Sequence, residues 1–211
     1  MIVLETNPKD ITYAVGIDLG GTYIKSAIVD SKGKLIKQFK AESGSKISPK
    51  KVLQQIEKCI HKLKKGFGKE LLGIGIGAPG IVTNGTVKYP PNFKNWKEVK
   101  LKDHIEKIFK TETIVDNDAN CAGLAELKFG LGKKYRNFIF LTLGTGIGGA
   151  IILDGKLYSG EQNGAGEFGM MTINFDGPKC LGGNRGATEA YLGRNYFLEN
   201  EKTEIKNLGS N

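Results

Sequence analysis

The sequence predicts an α/β protein built as two related lobes, and three observations carry that reading. Two stretches repeat one plan: apolar run, glycine-rich turn, second apolar run, polar turn. The first covers Tyr13 to Asp30, with Gly20-Gly21-Thr22 at its tip and Ser31-Lys32-Gly33-Lys34 after it. The second covers Phe138 to Leu153, with Gly144-Thr145-Gly146-Ile147-Gly148-Gly149 in the middle and Asp154-Gly155-Lys156 after it. Segments of helical apolar period alternate with short β-branched runs between the two. With 211 residues the chain can bury a core as one large domain or two small lobes.

The flanks of both turns are short and rich in Ile and other β-branched or aromatic residues, so they read as buried strands. Glycines at a hairpin tip let the backbone approach a ligand and aim successive N–H groups into one concavity, which suits a phosphate. A pair of such hairpins points to two lobes facing one ligand.

From the start, residues 13–39 read as three strands, the third being Lys34 to Phe39. Ser48-Pro49 is an N-cap followed by proline at the first helical position. Val52, Leu53, Ile56, Ile60 and Leu63 then form one helical face, which Gly66 ends. His61, beside Lys62, reads as solvated. Leu71 to Gly77 is a strand of small residues that ends in Ala78-Pro79-Gly80. Residues 83–98 read as a polar loop with the only tryptophan, Trp96. A helix around Leu101, Ile105, Ile108 and Phe109 carries His104 on its polar side. Thr113-Ile114-Val115 is a short strand, and Asp116-Asn117-Asp118-Ala119-Asn120 opens a helix. That helix should turn Cys121, Ala122, Leu124, Ala125 and Phe129 inward and stop at Gly130. A glycine-rich loop with Glu161 and Glu167 follows the second hairpin. The loop from Asp176 to Gly186 leads to a helix beginning near Thr188, and the tail from Glu199 is polar.

Gly75 to Gly80 and Gly144 to Gly149 both match G-x-G-x-x-G, yet neither opens a helix as a dinucleotide fingerprint requires. No G-K-[ST] follows either loop, which excludes a P-loop. The net charge of +9 raises nucleic acid as a partner. Only three of the 31 basic residues are arginines, however, and the lysines are scattered, so no nucleic-acid partner is expected. Cys59, Cys121 and Cys180 are an odd, widely spaced set without a signal peptide, which predicts a reducing, cytoplasmic setting. No apolar run approaches about 18 residues, so no membrane partner is expected.

Asp118 has two readings on local sequence alone. It is a favoured type of helix N-cap, or a carboxylate held on a rigid strand–helix junction. A phosphoryl-transfer enzyme with two phosphate hairpins needs a base for the acceptor hydroxyl, which favours the second.

Together these motifs resemble the ROK family of sugar kinases and sugar-responsive repressors, within the actin-like, hexokinase-type ATPase fold. Val15 to Thr22 resembles the first phosphate motif and Gly77-Ala78-Pro79-Gly80 the sugar-contacting turn. Val115 to Asn120 resembles the catalytic segment and Leu143 to Gly149 the second phosphate motif. Gly164 to Thr172, with Asp176 to Tyr191, resembles the sugar-binding and metal-loop region. The likeness runs in order over roughly residues 13–193. It implies an N-terminal lobe over 1–117, which holds the first hairpin and catalytic segment, and a partial C-terminal lobe over 118–211. Asp118 would be the general base. Gly80, Asn117, Glu167 and Glu189 would contact the sugar, and Asp18 would orient Mg²⁺ through water. Gly20, Gly21, Thr22, Thr145, Gly146 and Gly148 would hold the phosphates of ATP.

Two departures stand out. The family's zinc site uses a histidine in G-E-x-G-H and three cysteines in C-x-C-G-x-x-G-C. Here Met170, Gly182 and Ala187 replace three of those ligands and Cys180 alone remains, so no zinc is expected. Family members also continue about a third further, so the second lobe is expected to be incomplete: either the chain is a fragment, or a partner replaces the missing surface, and a homo-oligomer is expected. The expected function is an ATP-dependent hexose kinase acting on the 6-hydroxyl of glucose or a related aldohexose. The alternative is a non-catalytic sugar-binding regulator or an inactive kinase fragment. A polyphosphate donor would use the same base and sugar site. Twelve residues before the first strand are too few for a helix-turn-helix.

Overall fold

The computed structural model describes residues 11–91, 93–144, 146–180 and 183–193. Thr145 and Gly182 lie outside the described residues, as does the tail from Glu199. The chain divides between Cys121 and Ala122 into two compact units.

In the first unit β1 (Tyr13–Leu19), β2 (Tyr23–Asp30) and β3 (Leu35–Glu42) form an antiparallel meander. The chain then enters helix α1 (Pro49–Lys64) and returns as β4 (Ile74–Ala78), parallel to β1. Strands β5 (Ile81–Thr83), β6 (Thr86–Lys88) and β7 (Glu98–Lys100) make a small separate antiparallel sheet. Helix α2 (Leu101–Phe109) leads to β8 (Thr113–Asn117), parallel to β4. The main sheet therefore runs β3-β2-β1-β4-β8.

Helix α1 starts as its sequence dictates. Ser48 accepts the Lys51 N–H at 3.2 Å and Pro49 occupies the first turn. Val52, Ile56, Cys59, Ile60 and Leu63 are buried and join Val15, Ile17, Leu19, Ile24, Ile28 and Ile76 in one core. At its C-terminal end the Lys37 ammonium donates to the carbonyls of Leu63 and Lys65, at 2.9 and 2.6 Å. That supplies donors where the helix has none of its own. His104 of α2 reaches Glu57 of α1 at 2.7 Å, a pairing the sequence pattern did not reveal.

The structure corrects the polar-loop reading of residues 83–98. Val82 and Val87 are buried across from one another, joined by Asn84-Gly85 with φ of 49° and 75°. Asn-Gly with both φ positive is the strongest short hairpin signal, and it outweighs the polarity of the neighbours. Trp96 donates its indole N–H to the Val87 carbonyl at 3.1 Å, anchoring the hairpin in the core. Likewise the strand expected from Leu71 begins only at Ile74.

Helix α3 (Asp118–Phe129) crosses the division. In the second unit β9 (Phe138–Leu143), β10 (Ile147–Leu153) and β11 (Lys156–Tyr158) form an antiparallel sheet, in the order β11-β10-β9. Asp154 and Gly155, with φ of 50° and 73°, make its second tight turn. A short helix, α4 (Thr188–Leu192), closes the described part.

Two burial expectations are corrected here. Ala125 and Phe129 are exposed, because α3 approaches the sheet through Gly123, where a methyl group would overlap Ala150. Small size, rather than bulk, selects the packed face. Strand β9 is also not buried on both sides: Ile139, Leu141 and Leu143 are exposed, while β10 buries Ile147, Ala150 and Ile152. Among the described residues no helix is long and apolar enough to cross a membrane.

Candidate active site

The parallel strands of the first unit end in one row. Asp18 of β1 lies beside Gly77 of β4, which lies beside Asp116 of β8. The carboxyl ends of parallel strands are where open α/β sheets present ligand-binding groups. Gly77 lies in close contact with the start of α3: a methyl there would sit at 3.4 Å from both the Asp118 Cα and the Cys121 sulfur. The first turn of α3 therefore packs directly on β4.

In that first turn the main capping role falls to Asn117. Asn117 Oδ1 accepts the N–H groups of Ala119 at 2.9 Å and Asn120 at 3.2 Å, so Asn117 caps the helix. Asp118 is the first helical residue, and its Oδ1 takes a second share of the Ala119 N–H at 2.9 Å. The cap is braced from behind. Asp116 Oδ1 accepts the Asn117 N–H at 2.6 Å and the side-chain amide of the buried Asn120 at 3.1 Å. Asn117 Nδ2 donates to the Gly80 carbonyl at 3.1 Å, tying the Ala78-Pro79-Gly80 turn to the helix start. Both lone pairs of Asn117 Oδ1 are thus engaged, and its second amide hydrogen remains for a ligand oxygen. Gly80 has φ of 87°, and a methyl there would meet the Lys88 carbonyl at 2.7 Å, so only glycine fits.

Asp118 keeps one side toward solvent, yet its pKa is raised. Loss of hydration in this crowded corner is the main cause, opposed by the Ala119 N–H and reinforced by the nearby Asp18 carboxylate. Asp18 itself pairs with Lys25 at 3.3 Å, both side chains being well exposed. The Cys121 thiol is pushed up to about 12, first by burial and then by Asp116, Asp118 and Asp18. It remains a neutral thiol.

The first glycine turn has a defined hydrogen-bond pattern. The Gly20 N–H donates to the Tyr23 carbonyl at 3.0 Å, holding the turn closed. The N–H groups of Gly21 and Thr22 meet no protein acceptor among the described residues. They are the donors this turn can offer an anion. In the second turn the Gly144 N–H goes to the Gly146 carbonyl at 3.0 Å and the Gly148 N–H to Thr142 Oγ1 at 3.1 Å. Gly20 and Gly148 therefore shape their turns, while the Gly21 and Thr22 N–H groups have no acceptor among the described residues.

Glu189, on α4, places Oε2 on the Ile147 N–H at 2.9 Å. Glu167 opens a short 3-10 turn over Phe168–Met170. Gly166 precedes it with φ of 90°, backbone against the Gly149 carbonyl. Of the remaining metal-loop positions, Met170 is exposed and Ala187 buried, and the Ala187 N–H donates to the Cys180 sulfur at 3.3 Å. A single thiol cannot supply a tetrahedral zinc set. Among the described residues no three His, Cys, Asp or Glu side chains gather as a metal cage. A Mg²⁺ ion needs less, because it keeps waters and binds through one or two carboxylates plus phosphate. Asp18, near Asp118, fits that requirement. Sequence reasoning missed Asn120, Asp116 and Gly77 as supports. The two asparagines flanking Asp118 were the available signal.

The ROK family model matches residues 14–208. The xylose repressor of Bacillus spizizenii is 35% identical over 205 residues, covering 95% of this chain and 53% of the repressor. The glucokinase of Streptomyces coelicolor is 37% identical over 179 residues, covering 84% of this chain and 55% of the enzyme. Among solved structures, a ROK family glucokinase from Streptomyces griseus, in complex with glucose and AMPPNP, superposes with a TM-score of 0.81 at 32% identity. It covers 92% of this chain and 61% of its own. The chain thus spans about half the length of the curated relatives it matches.

Proposed function

This chain belongs to the ROK family, with the actin-like fold of its sugar kinases, and we propose that it carries the machinery of an ATP-dependent hexose kinase acting on the 6-hydroxyl of glucose or a related aldohexose. The observation that carries the reading is Asp118. It stands at the first position of α3, relieved of capping by Asn117, with its pKa raised beside Asp18. A carboxylate made more basic than usual is a better proton acceptor near neutral pH.

In this reading Asp118 takes the proton of the sugar hydroxyl as its oxygen bonds to the γ-phosphorus and the bond to the ADP oxygen breaks. The N–H groups of Gly21, Thr22 and Gly146 stabilise charge on the phosphates, joined by Thr145. Asp18 holds a water shell for Mg²⁺, which would neutralise phosphate charge when bound. Gly80, Asn117, Glu167 and Glu189 orient sugar hydroxyls. Alignment and electrostatic stabilisation supply most of the acceleration.

The likeness to a xylose repressor over 95% of this chain supports a second reading, a sugar-binding regulator without turnover. One experiment separates them. Glucose and Mg·ATP are incubated with the purified chain, and sugar phosphate and ADP are measured beside calorimetric sugar binding. Equal formation of both products supports the kinase. Sugar binding with no product supports the regulator. Product formed faster from polyphosphate would replace ATP as the donor.

A further inference from the structure

Glu189 is an acidic side chain bonded directly to the backbone of the second glycine turn. Its Oε2 accepts the Ile147 N–H at 2.9 Å. A methyl on Gly146 would overlap the same oxygen, and one on Gly169 would lie 3.2 Å from it. Neither glycine has the positive φ that would by itself demand glycine. At Gly146 the missing side chain makes room for the carboxylate, while Gly169 packs first against the Ile147 carbonyl and only then near Glu189, which lies half-buried.

We propose that Glu189 is a positioning residue for the second phosphate turn, and that through it sugar binding and donor binding are coupled. The positioning half stands on the geometry. The coupling half rests on the kinase reading, in which the other oxygen of the same carboxylate holds a sugar hydroxyl. A hydroxyl donated to Oε1 fixes the carboxylate plane and with it the Ile147 N–H. Rigidity gained at one ligand then lowers the ordering cost of the other. Linkage makes the effect reciprocal: sugar tightens the nucleotide by the factor by which nucleotide tightens sugar.

The two halves are tested separately. Amide hydrogen exchange at Ile147 is measured without ligand, in the parent chain and in Glu189→Gln, Glu189→Ala and Gly146→Ala. Gln keeps an acceptor oxygen and should keep protection. Ala should lose it, and Gly146→Ala should lose it from the other side, by displacing the carboxylate. Unchanged exchange in both alanine variants overturns the positioning role. Calorimetry then measures AMPPNP affinity with and without saturating glucose. Glucose should tighten AMPPNP by about fivefold or more in the parent chain, and by about onefold in Glu189→Ala. Equal enhancement in the two overturns the coupling. If the parent chain binds neither ligand, the kinase reading and the coupling fall together, while the exchange result still decides the positioning role.

Discussion

Ser43 Oγ donates to the Gly21 carbonyl at 2.8 Å, and the hydroxyl of Ser45 donates to the same oxygen. Both serines are buried, at 1% and 2% exposure, and the Ser43 hydroxyl also accepts the Ser45 N–H at 3.3 Å, which ties the two together beneath this carbonyl. In a trans peptide the C=O and N–H point in opposite directions, so clamping the Gly21 oxygen aims the Thr22 N–H outward. Two accepted hydrogen bonds also polarise the peptide and make that N–H a stronger donor.

The first prediction follows from this clamp. Ser43→Ala with Ser45→Ala should raise KM for the phosphate donor by up to roughly thirtyfold, at about 1 kcal/mol for each of the two hydrogen bonds lost, and leave KM for the sugar nearly unchanged. Steady-state kinetics with each substrate varied in turn, beside a melting curve, provides the check. Equal rises in both constants would mean general loosening rather than loss of an aimed donor.

Asp118→Asn gives the second prediction. Because Asn117 caps α3, the change leaves the cap intact. Loss of a positioned base should lower kcat by about 10²–10⁴. Stability moves the other way. The folded pKa lies above the ordinary 3.8, so the fold favours the protonated form. That contribution is complete below the unfolded pKa and lost as pH rises through the folded one. At neutral pH the ionised carboxylate is thus a burden, and Asn should hold Tm or raise it slightly, with no gain under acid. In the parent chain the acid limb of kcat/KM should fall above the usual carboxylate range. Asp18→Asn removes a repelling charge and should move that limb to lower pH, whatever it does to the rate. A limb that does not move would detach Asp18 from the base.

Much of this was legible in the sequence, and the omissions share a cause. Residue type and period suffice to place α1, with its serine cap, proline and five-residue apolar stripe, because each acts within a few neighbours. They also mark the glycine-rich turns as candidate ligand contacts. They cannot say which N–H groups those turns consume internally, since Gly20 closes on Tyr23 and Gly148 on a side chain six residues earlier. The Asn117 cap was ambiguous because three adjacent residues are all good capping types, and only φ/ψ and hydrogen-bond direction choose among them. Glu189 reaches across 42 residues to Ile147. No local period encodes such a pairing.

Zinc supplies a third prediction. Cys180 spends its sulfur on the Ala187 N–H, at a position where only one metal-ligating side chain is available. Protein purified without chelator should contain well under one zinc per chain by elemental analysis. Stoichiometric zinc would require ligands from elsewhere in the chain. Installing Met170→His with Gly182→Cys and Ala187→Cys should create a site that raises Tm when zinc is added, because structural zinc contributes directly to folding.

The last prediction concerns the open face of β9. Ile139, Leu141 and Leu143 alternate along this edge strand, with exposures of 57%, 49% and 72%. Across the sheet Ile151 stands opposite Ile139, and the exposed Tyr158 stands opposite Ile151, so the apolar surface continues over all three strands. An edge strand with an apolar face offers both unpaired backbone groups and a surface water disfavours. The first unit shows how its sheet avoids this: the outer edge of β1 is taken by the parallel strand β4. The chain as given should therefore self-associate, its mass by light scattering rising with concentration. Leu141→Lys puts a charge at the centre of the face, where it costs the monomer little because the side chain is already half in water. It should lower the associated fraction severalfold while leaving the circular dichroism spectrum and Tm near the parent values. A parent chain that stays monomeric across a wide concentration range, or a lysine variant that associates as strongly, would remove β9 as the contact surface.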